Sequence, residues 1–230
     1  MQHRLLVALL CLVCTAAGIT PAHAGRKIRL MYEPPQAAAA LTTPVTVTFE
    51  DLRDSKKGGD EPNLIAQERN NLGMPVGIFS GAQDTQDPPA LVPMWVVDTL
   101  KAAGYLAATG EPGEHPRVHV ILRNLWGDGQ PIMGVTRHSF SLVATMQVFA
   151  PGATEPAWEQ SFSGGAGTTT VIMRFDDPFE TGFVRAFDEA SRAFLAVISS
   201  EGFQAALPGG DLEAAAMAAS GVAVQTDEDG

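Results

Sequence analysis

The most constraining feature of the sequence is a stripe of large apolar side chains near the C-terminus. Its members recur at steps of three and four residues: Phe179, Phe183, Phe187, Ala190, Phe194 and Val197. This spacing predicts an amphipathic helix. Asp177, Pro178 and Glu180 form a capping box at its start, and Gly202 is expected to end it. Because the phenylalanine side must be buried, the fold needs a second layer to receive it.

Strand patterns supply the second layer. Val45–Glu50 alternates strictly between apolar and polar residues, as a half-buried strand requires. Further strand candidates are Ile28–Tyr32, Met74–Ser80, Arg117–Trp126, His138–Ala150, Ala157–Ser163 and Thr169–Phe175. Gly164–Thr168 is interpreted as a turn between the last two. An earlier apolar pattern predicts a first helix that starts near Pro93 and ends at Gly104.

These elements predict an α+β fold of two layers. The sheet is expected to be mixed and mostly antiparallel, with about five strands and with two helices packed on one face. The strands before and after the first helix should be parallel through a right-handed crossover, followed by an antiparallel meander. Alternation places Val118, Val120 and Leu122 toward the helices. The opposite face of the sheet is left without a covering layer.

The first 24 residues are typical of a secretory signal peptide. Arg4 precedes a largely apolar run, Leu5–Ile19, and small residues lead to an expected cleavage site after Ala24. The run is shorter than the roughly 20 residues that a membrane-spanning helix needs. We therefore expect a periplasmic or secreted protein. The remainder is divided into an N-terminal arm (25–43), a single α+β domain (44–207) and a flexible acidic tail (208–230).

Both cysteines, Cys11 and Cys14, lie within the predicted signal peptide. Cleavage would therefore remove every thiol, which excludes disulfides, thiolate metal sites and cysteine nucleophiles from the mature protein. Cys14 is also a conceivable site for a lipid, but Val13 precedes it where lipoprotein processing normally requires a small residue. A lipid-anchored envelope protein is the minor alternative. Membrane association is expected only if Cys14 is lipidated.

The charge balance and the motifs narrow the function. With 15 basic and 26 acidic residues the net charge is −11, so nucleic acid is not an expected partner. No phosphate-binding loop, nucleophile elbow or His-Glu-x-x-His motif occurs. His115 and His119 are four residues apart, but Pro116 between them prevents a metal-binding helix. We predict no catalytic residue, no metal and no cofactor.

Two pairs of carboxylates are the remaining basis for an enzyme. Asp176 lies beside Asp177, and Asp84 lies close to Asp87. Helix capping explains Asp177, and turn chemistry explains the Asp84–Pro89 segment. An envelope hydrolase is therefore the least favoured class of function.

Four patterned stretches carry a family resemblance. They are Val45–Arg53, Val96–Tyr105, Val118–Trp126 and Phe183–Leu207. In their order the chain resembles the YajG-like family of bacterial envelope lipoproteins. The resemblance implies a Gram-negative envelope protein with an α+β fold, and no catalytic residue is carried over from it. The chain departs from the family pattern by lacking a lipobox around Cys14.

The leading hypothesis is a non-catalytic periplasmic accessory protein that binds an envelope protein or peptide. Binding is expected through the open sheet face or a sheet edge, with Ile121, Val143, Thr145 and Phe149 as candidate contacts. Alternatively, the arm 25–43 or a second copy in a homodimer covers that face.

Two further sites are considered. Asp51 and Arg53 follow a buried strand, where open sheets often bind ligands. The alternative is a surface ion pair that holds the loop. A second function hypothesis is a carrier of an apolar small molecule or lipid between helices and sheet. It requires a cavity lined by Trp95, Met146 and Phe187.

Overall fold

The computed structural model describes residues 26–38, 40–54, 57–81, 87–132, 135–171, 178–210, 213 and 215. The predicted signal peptide and the predicted cap Asp177 lie outside these residues. The strands are β1 (Arg26–Ile28), β2 (Thr43–Asp51), β3 (Leu64–Arg69), β4 (Pro75–Gly81), β5 (Tyr105–Thr109), β6 (Arg117–Ile132), β7 (Val135–Phe149) and β8 (Trp158–Val171). The helices are α1 (Pro88–Ala102), α2 (Pro178–Ile198) and α3 (Glu201–Ala206).

The long strand β6 is the central strand of the sheet. On one side it pairs with β7, and β8 continues the predicted antiparallel meander. On the other side the first part of β6 pairs in parallel with β2, and Gly127–Gly129 pairs in parallel with β3. β5 is parallel to β2, β4 is antiparallel to β3, and β1 is parallel to β4. The predicted mixed α+β fold is confirmed, with β3 and β5 as additional strands.

The phenylalanine stripe of α2 is buried against this sheet. Phe183, Phe187 and Phe194 are fully buried and pack with side chains of β7 and β8. Trp95 of α1 lies between them, with its indole N–H donating to Ser191 Oγ at 2.7 Å. Each fully buried phenylalanine stabilises the fold by roughly 1.5–3 kcal/mol. The predicted packing of both helices on one face of the sheet is confirmed.

A glycine in β8 sets how closely α2 approaches the sheet. A Cβ at Gly164 would lie 2.3 Å from Ala186 O and 2.4 Å from Ala190 N, so only glycine leaves room for the helix backbone. The strand runs without interruption through Gly164–Thr168. The predicted turn there is wrong, because the glycines serve close packing within one strand.

The ends of β6 and β7 and the ends of the helices also differ from expectation. β6 runs through Asp128-Gly129, which the pattern places between two strands, and β7 begins at Val135. Asp128 accepts from Arg69 Nε of β3 at 3.0 Å, so it belongs to the sheet. Helix α2 ends at Ile198, and Gly202 lies inside the short helix α3. Ser200 caps α3 by accepting from the Phe203 N–H.

The segment before β2 is packed into the fold. Ile28 and Leu30 are buried, and the Tyr32 hydroxyl donates to Asp98 of α1 at 2.5 Å. Burial, and then the Asp98 carboxylate, raise the pKa of Tyr32. The Tyr32 ring also packs on Phe187 of α2, which places this segment on the helical side of the molecule. Ile28, Leu30 and Tyr32 therefore contribute to the packing on the helical side of the sheet.

The chain after α3 also keeps contact with the core. The Tyr105 hydroxyl donates to Leu207 O at 2.9 Å, and Thr42 Oγ1 donates to Gly209 O at 2.9 Å. Ala215 is buried. Leu207 and Gly209, near the start of the predicted tail 208–230, are thus bonded to Tyr105 and Thr42. No helix in the described part of the chain is long and apolar enough to cross a membrane.

Candidate functional site

The open face is the side of the sheet that faces away from α1 and α2. Its main residues are Thr48, Glu50, Arg117, His119, Ile121, Arg123, Val143, Thr145, Gln147, Phe149, Ser161 and Ser163. Most of them are polar, and they bond to one another across the strands. Thr145 Oγ1 and Ser161 Oγ lie 2.9 Å apart, and Gln147 Nε2 donates to Glu159 at 2.5 Å. The face is therefore a hydrogen-bonded polar layer.

The predicted contact residues all lie on this face, but they are less exposed than an apolar patch requires. Ile121 and Phe149 are 6% exposed, Thr145 is 5% exposed, and Val143 is half-buried. The Arg117 guanidinium covers Phe149 at 3.8 Å from its ring centroid. These residues therefore offer little exposed apolar surface, and Arg117 shields Phe149. A role of these residues in binding stays a prediction.

His119 is the central titratable group of the polar layer. Its Nδ1 lies 2.8 Å from Thr48 Oγ1, and its Nε2 lies 3.5 Å from Glu50 Oε2. Burial of the ring lowers the His119 pKa, and the charge of Arg117 acts in the same direction. The Glu50 carboxylate opposes both effects. The environment therefore favours the neutral form of the ring.

We expect an NMR titration to place the His119 pKa below its ordinary value of 6.5. Arg117→Gln should raise this pKa and Glu50→Gln should lower it further, because each removes one neighbouring charge. The unfolded chain then binds the proton at higher pH than the folded chain. The stability that the neutral His119 contributes is complete above pH 6.5. It is lost as the pH falls through the His119 pKa of the folded protein. A measured pKa at or above 6.5 would contradict this environment.

The loop candidates Asp51 and Arg53 form a buried structural pair. Arg53 Nε donates to Asp51 Oδ1 at 2.9 Å, and Arg53 Nη2 donates to Asp51 Oδ2 at 2.7 Å. The guanidinium also donates to the carbonyls of Leu64 and Pro62, at 2.9 and 2.5 Å. The Arg53 side chain is fully buried and that of Asp51 is 15% exposed. The predicted loop-holding role is supported, but the expected surface position is wrong, because the guanidinium is buried and bonds to Asp51, Leu64 and Pro62.

The long edge of the sheet is formed by β8. Its 14 residues pair with β7 in continuous register from Val135–Val171 to Val148–Trp158. In an antiparallel pair, alternate residues turn their backbone groups away from the neighbouring strand. The Gly165 N–H donates to Glu189 Oε2 of α2 at 2.9 Å, so Gly165 is one of the residues that face outward. The β8 edge therefore includes the backbone N–H and C=O groups of Glu159, Ser161, Ser163, Gly165 and Gly167.

This edge is longer than the other borders of the sheet. Its side chains are exposed and, apart from Glu159, small. Within the described residues, the outward backbone groups of this edge make one hydrogen bond, from the Gly165 N–H to Glu189. The strands at the opposite borders, β5 and β1, have five and three residues. A long edge with free donors and acceptors is a template for pairing with another strand.

Catalytic arrangements gain no support from the described residues. Within them, no three His, Cys, Asp or Glu side chains are grouped to hold a metal ion. Asp84, Asp176 and Asp177 lie outside the described residues, and Asp87 caps α1 by accepting from the Ala90 N–H at 3.1 Å. His115 is exposed in the loop before β6.

The interior predicted for a carrier is filled. Trp95, Met146 and Phe187 are fully buried. The Trp95 ring lies 5.6 Å from that of Phe187 and 5.9 Å from that of Phe162. Two cavities of the structure lie elsewhere, one lined in part by Phe49 and Met94 and the other by His115 and Arg117. The aromatic side chains themselves occupy the space between helices and sheet, which corrects the cavity expectation.

Comparison with known proteins places the chain among distant structural neighbours. No protein-family model matches it, and no curated protein matches its sequence. It is similar to the structure of a DUF330 protein from Xanthomonas campestris, with 12% identity, 72% of this chain and 87% of that chain covered, and a TM-score of 0.44. It is also similar to the structure of an uncharacterised protein, with 11% identity, 74% of this chain and 94% of that chain covered, and a TM-score of 0.41. A third similar structure is that of a neuraminyllactose-binding hemagglutinin homolog from Helicobacter pylori. Its identity is 8%, 77% of this chain and 97% of that chain are covered, and the TM-score is 0.37. The resemblance to the YajG-like family stays a sequence-based prediction.

Proposed function

We propose that the protein is a non-catalytic binding protein of the bacterial cell envelope that acts in the periplasm. It binds an extended segment of a partner protein or peptide, which adds to the sheet along the β8 edge. The observation that carries this proposal is the 14-residue β8, paired with β7 on one side and with no described strand on the other. In strand addition, main-chain hydrogen bonds provide the affinity, and side-chain pockets provide selectivity.

The edge is favoured over the open face by the burial of side chains. Ile121 and Phe149 lie beneath a polar layer, so the face offers little apolar area to a partner. Ser161, Ser163 and Gly167 leave the path along the edge unobstructed, since their side chains are small and exposed. Glu189 occupies the Gly165 N–H in the absence of a partner and would be displaced by a carbonyl of the incoming strand.

Ser163→Pro tests this proposal. The Ser163 N–H faces outward, so proline there removes a donor for the partner without breaking a hydrogen bond to β7. We expect partner binding to fall at least about tenfold, the equivalent of about 1.4 kcal/mol. Ser163→Ala, which keeps the N–H, is the matched control and should bind as the wild type does.

The readout is site-specific photocrosslinking in intact cells, with the yield compared among wild type, Ser163→Ala and Ser163→Pro. Thermal unfolding of the purified variants verifies that each is folded. Loss of the crosslink in Ser163→Pro alone supports strand addition. An unchanged crosslink in that variant contradicts it. A crosslink between two copies, with a dimer in sedimentation velocity that Ser163→Pro dissociates, would replace the heterologous partner by a homodimer.

A further inference from the structure

A cavity separate from the β8 edge lies beside β2, at the point where the neighbouring strand β5 ends. Its volume is about 570 Å³, within the range of roughly 300–1,000 Å³ that ligand sites occupy. Phe49 of β2, Pro93 and Met94 of α1, and Glu111 after β5 contribute to its lining. None of its lining residues belongs to the β8 edge.

At this cavity β2 pairs with β6 on one side and has no strand on its other side among the described residues. Thr46 N–H and Leu52 N–H donate to carbonyls at the two ends of the β6 pairing, each at 3.0 Å, so even-numbered residues of β2 face β6. Odd-numbered residues face β5, and Gly110 N–H donates to Val47 O at 3.3 Å. The β2–β5 register ends at Val47, so the next outward-facing residue, Phe49, has no strand beside it among the described residues. Its N–H and C=O are directed to the space that the cavity occupies.

The charges at the cavity favour a cation. Glu111 is the one charged residue of the lining. The adjacent start of α1 offers little to an anion, because Pro88 and Pro89 lack an N–H and the Ala90 N–H donates to Asp87 Oδ1. A carboxylate without a basic neighbour in the lining is complementary to an ammonium group.

The walls are apolar and accessible. Met94 is 46% exposed although it is a large apolar side chain, and Pro93 and Phe49 are half-buried. These side chains lie next to the unpaired backbone of Phe49 and form the lining together with Glu111. A ligand that matches all three features carries a cationic group, a peptide-like backbone and an apolar side chain.

We propose that this cavity binds the free amino terminus of an extended peptide with apolar first residues. The peptide ammonium pairs with the Glu111 carboxylate, and the peptide backbone bonds to the N–H and C=O of Phe49 in the line of β5. Its first apolar side chain packs on Met94 and Pro93. The site is independent of strand addition at the β8 edge.

The test uses the tripeptide Leu-Val-Leu amide, with a free or an acetylated amino terminus, titrated into the full folded chain by NMR. We expect the free tripeptide to shift the Phe49 amide signal and the acetylated form to bind about tenfold more weakly. Glu111→Gln should weaken the binding of the free tripeptide by a similar factor. It should also abolish the difference in affinity between the free and the acetylated form. Glu114→Gln is the matched control, because this exposed acid of the same loop does not line the cavity.

Equal binding of the two tripeptides to the wild type would overturn the proposal. So would the absence of Phe49 shifts at millimolar tripeptide, or an equal loss in Glu111→Gln and Glu114→Gln. Ser163→Pro separates the two sites, because it should leave tripeptide binding unchanged. A loss of tripeptide binding in Ser163→Pro would place the tripeptide at the β8 edge and would overturn the assignment to this cavity.

Discussion

Replacing Gly164 with alanine is expected to lower the free energy of unfolding by about 3 kcal/mol, the upper part of the range for overpacking. The added Cβ would meet Ala186 O at 2.3 Å and Ala190 N at 2.4 Å, and both are backbone atoms of α2. A flexible side chain can rotate away from such a contact, but the backbone of a packed helix cannot. The helix must therefore shift off the sheet and loosen the phenylalanine stripe beneath it. Urea unfolding monitored by circular dichroism measures the change.

The neighbouring glycine provides the matched control for this experiment. A Cβ at Gly165 would find its nearest atom, Phe140 O, at 3.4 Å, which is an ordinary contact. Gly165→Ala should change the stability by less than about 1 kcal/mol, and the loss of chain entropy in the unfolded state favours a small gain. Equal effects of the two substitutions would contradict the close seating of α2 on β8.

Arg53→Met is expected to destabilise the fold by about 3–5 kcal/mol, the typical cost of removing one partner from a buried ion pair. The substitution keeps an apolar side chain of similar length but removes the donors to Asp51, Pro62 O and Leu64 O. The loop between β2 and β3 would lose the group that fixes it. Arg53→Lys should restore only part of the stability, because an ammonium lacks the planar arrangement of donors.

Arg192→Met is the control for Arg53→Met. Arg192 pairs with Asp188 at 2.5 Å, but the two side chains are 53% and 61% exposed. Exposed pairs contribute little, so the expected change is at most about 0.5 kcal/mol. Chemical unfolding of both variants at the same pH gives the comparison. If Arg53→Met cost no more than Arg192→Met, the pinning role of Arg53 would be refuted.

The α+β fold was predictable because its main signals are local. The spacing of Phe183, Phe187 and Phe194 fixes the buried side of α2, and alternation fixes the inward residues of β6 and β7. The segment before β2 shows no comparable periodicity of apolar residues. Its burial depends on Ile28 and Leu30 entering a core that is built by distant residues, so the pattern predicted only an N-terminal arm.

The candidate site was only partly predictable, for three physical reasons. The β8 edge was divided in two because Gly164 and Gly165 favour a turn by local propensity, whereas the distant helix α2 makes a glycine necessary within the strand. The shielding of Phe149 depends on Arg117 from the neighbouring strand. The role of Arg53 was recognisable from its proximity to Asp51, but the burial of the pair depends on Pro62 and Leu64.

Amide hydrogen exchange measured residue by residue along β8 tests most directly whether this strand is an open edge. The account predicts alternation: the N–H groups of Phe162, Gly164 and Ala166 exchange slowly because β7 accepts them, and those of Ser161, Ser163 and Gly167 exchange fast. Uniformly slow exchange at all six residues would show that another strand already occupies the edge, and no place would remain there for a partner.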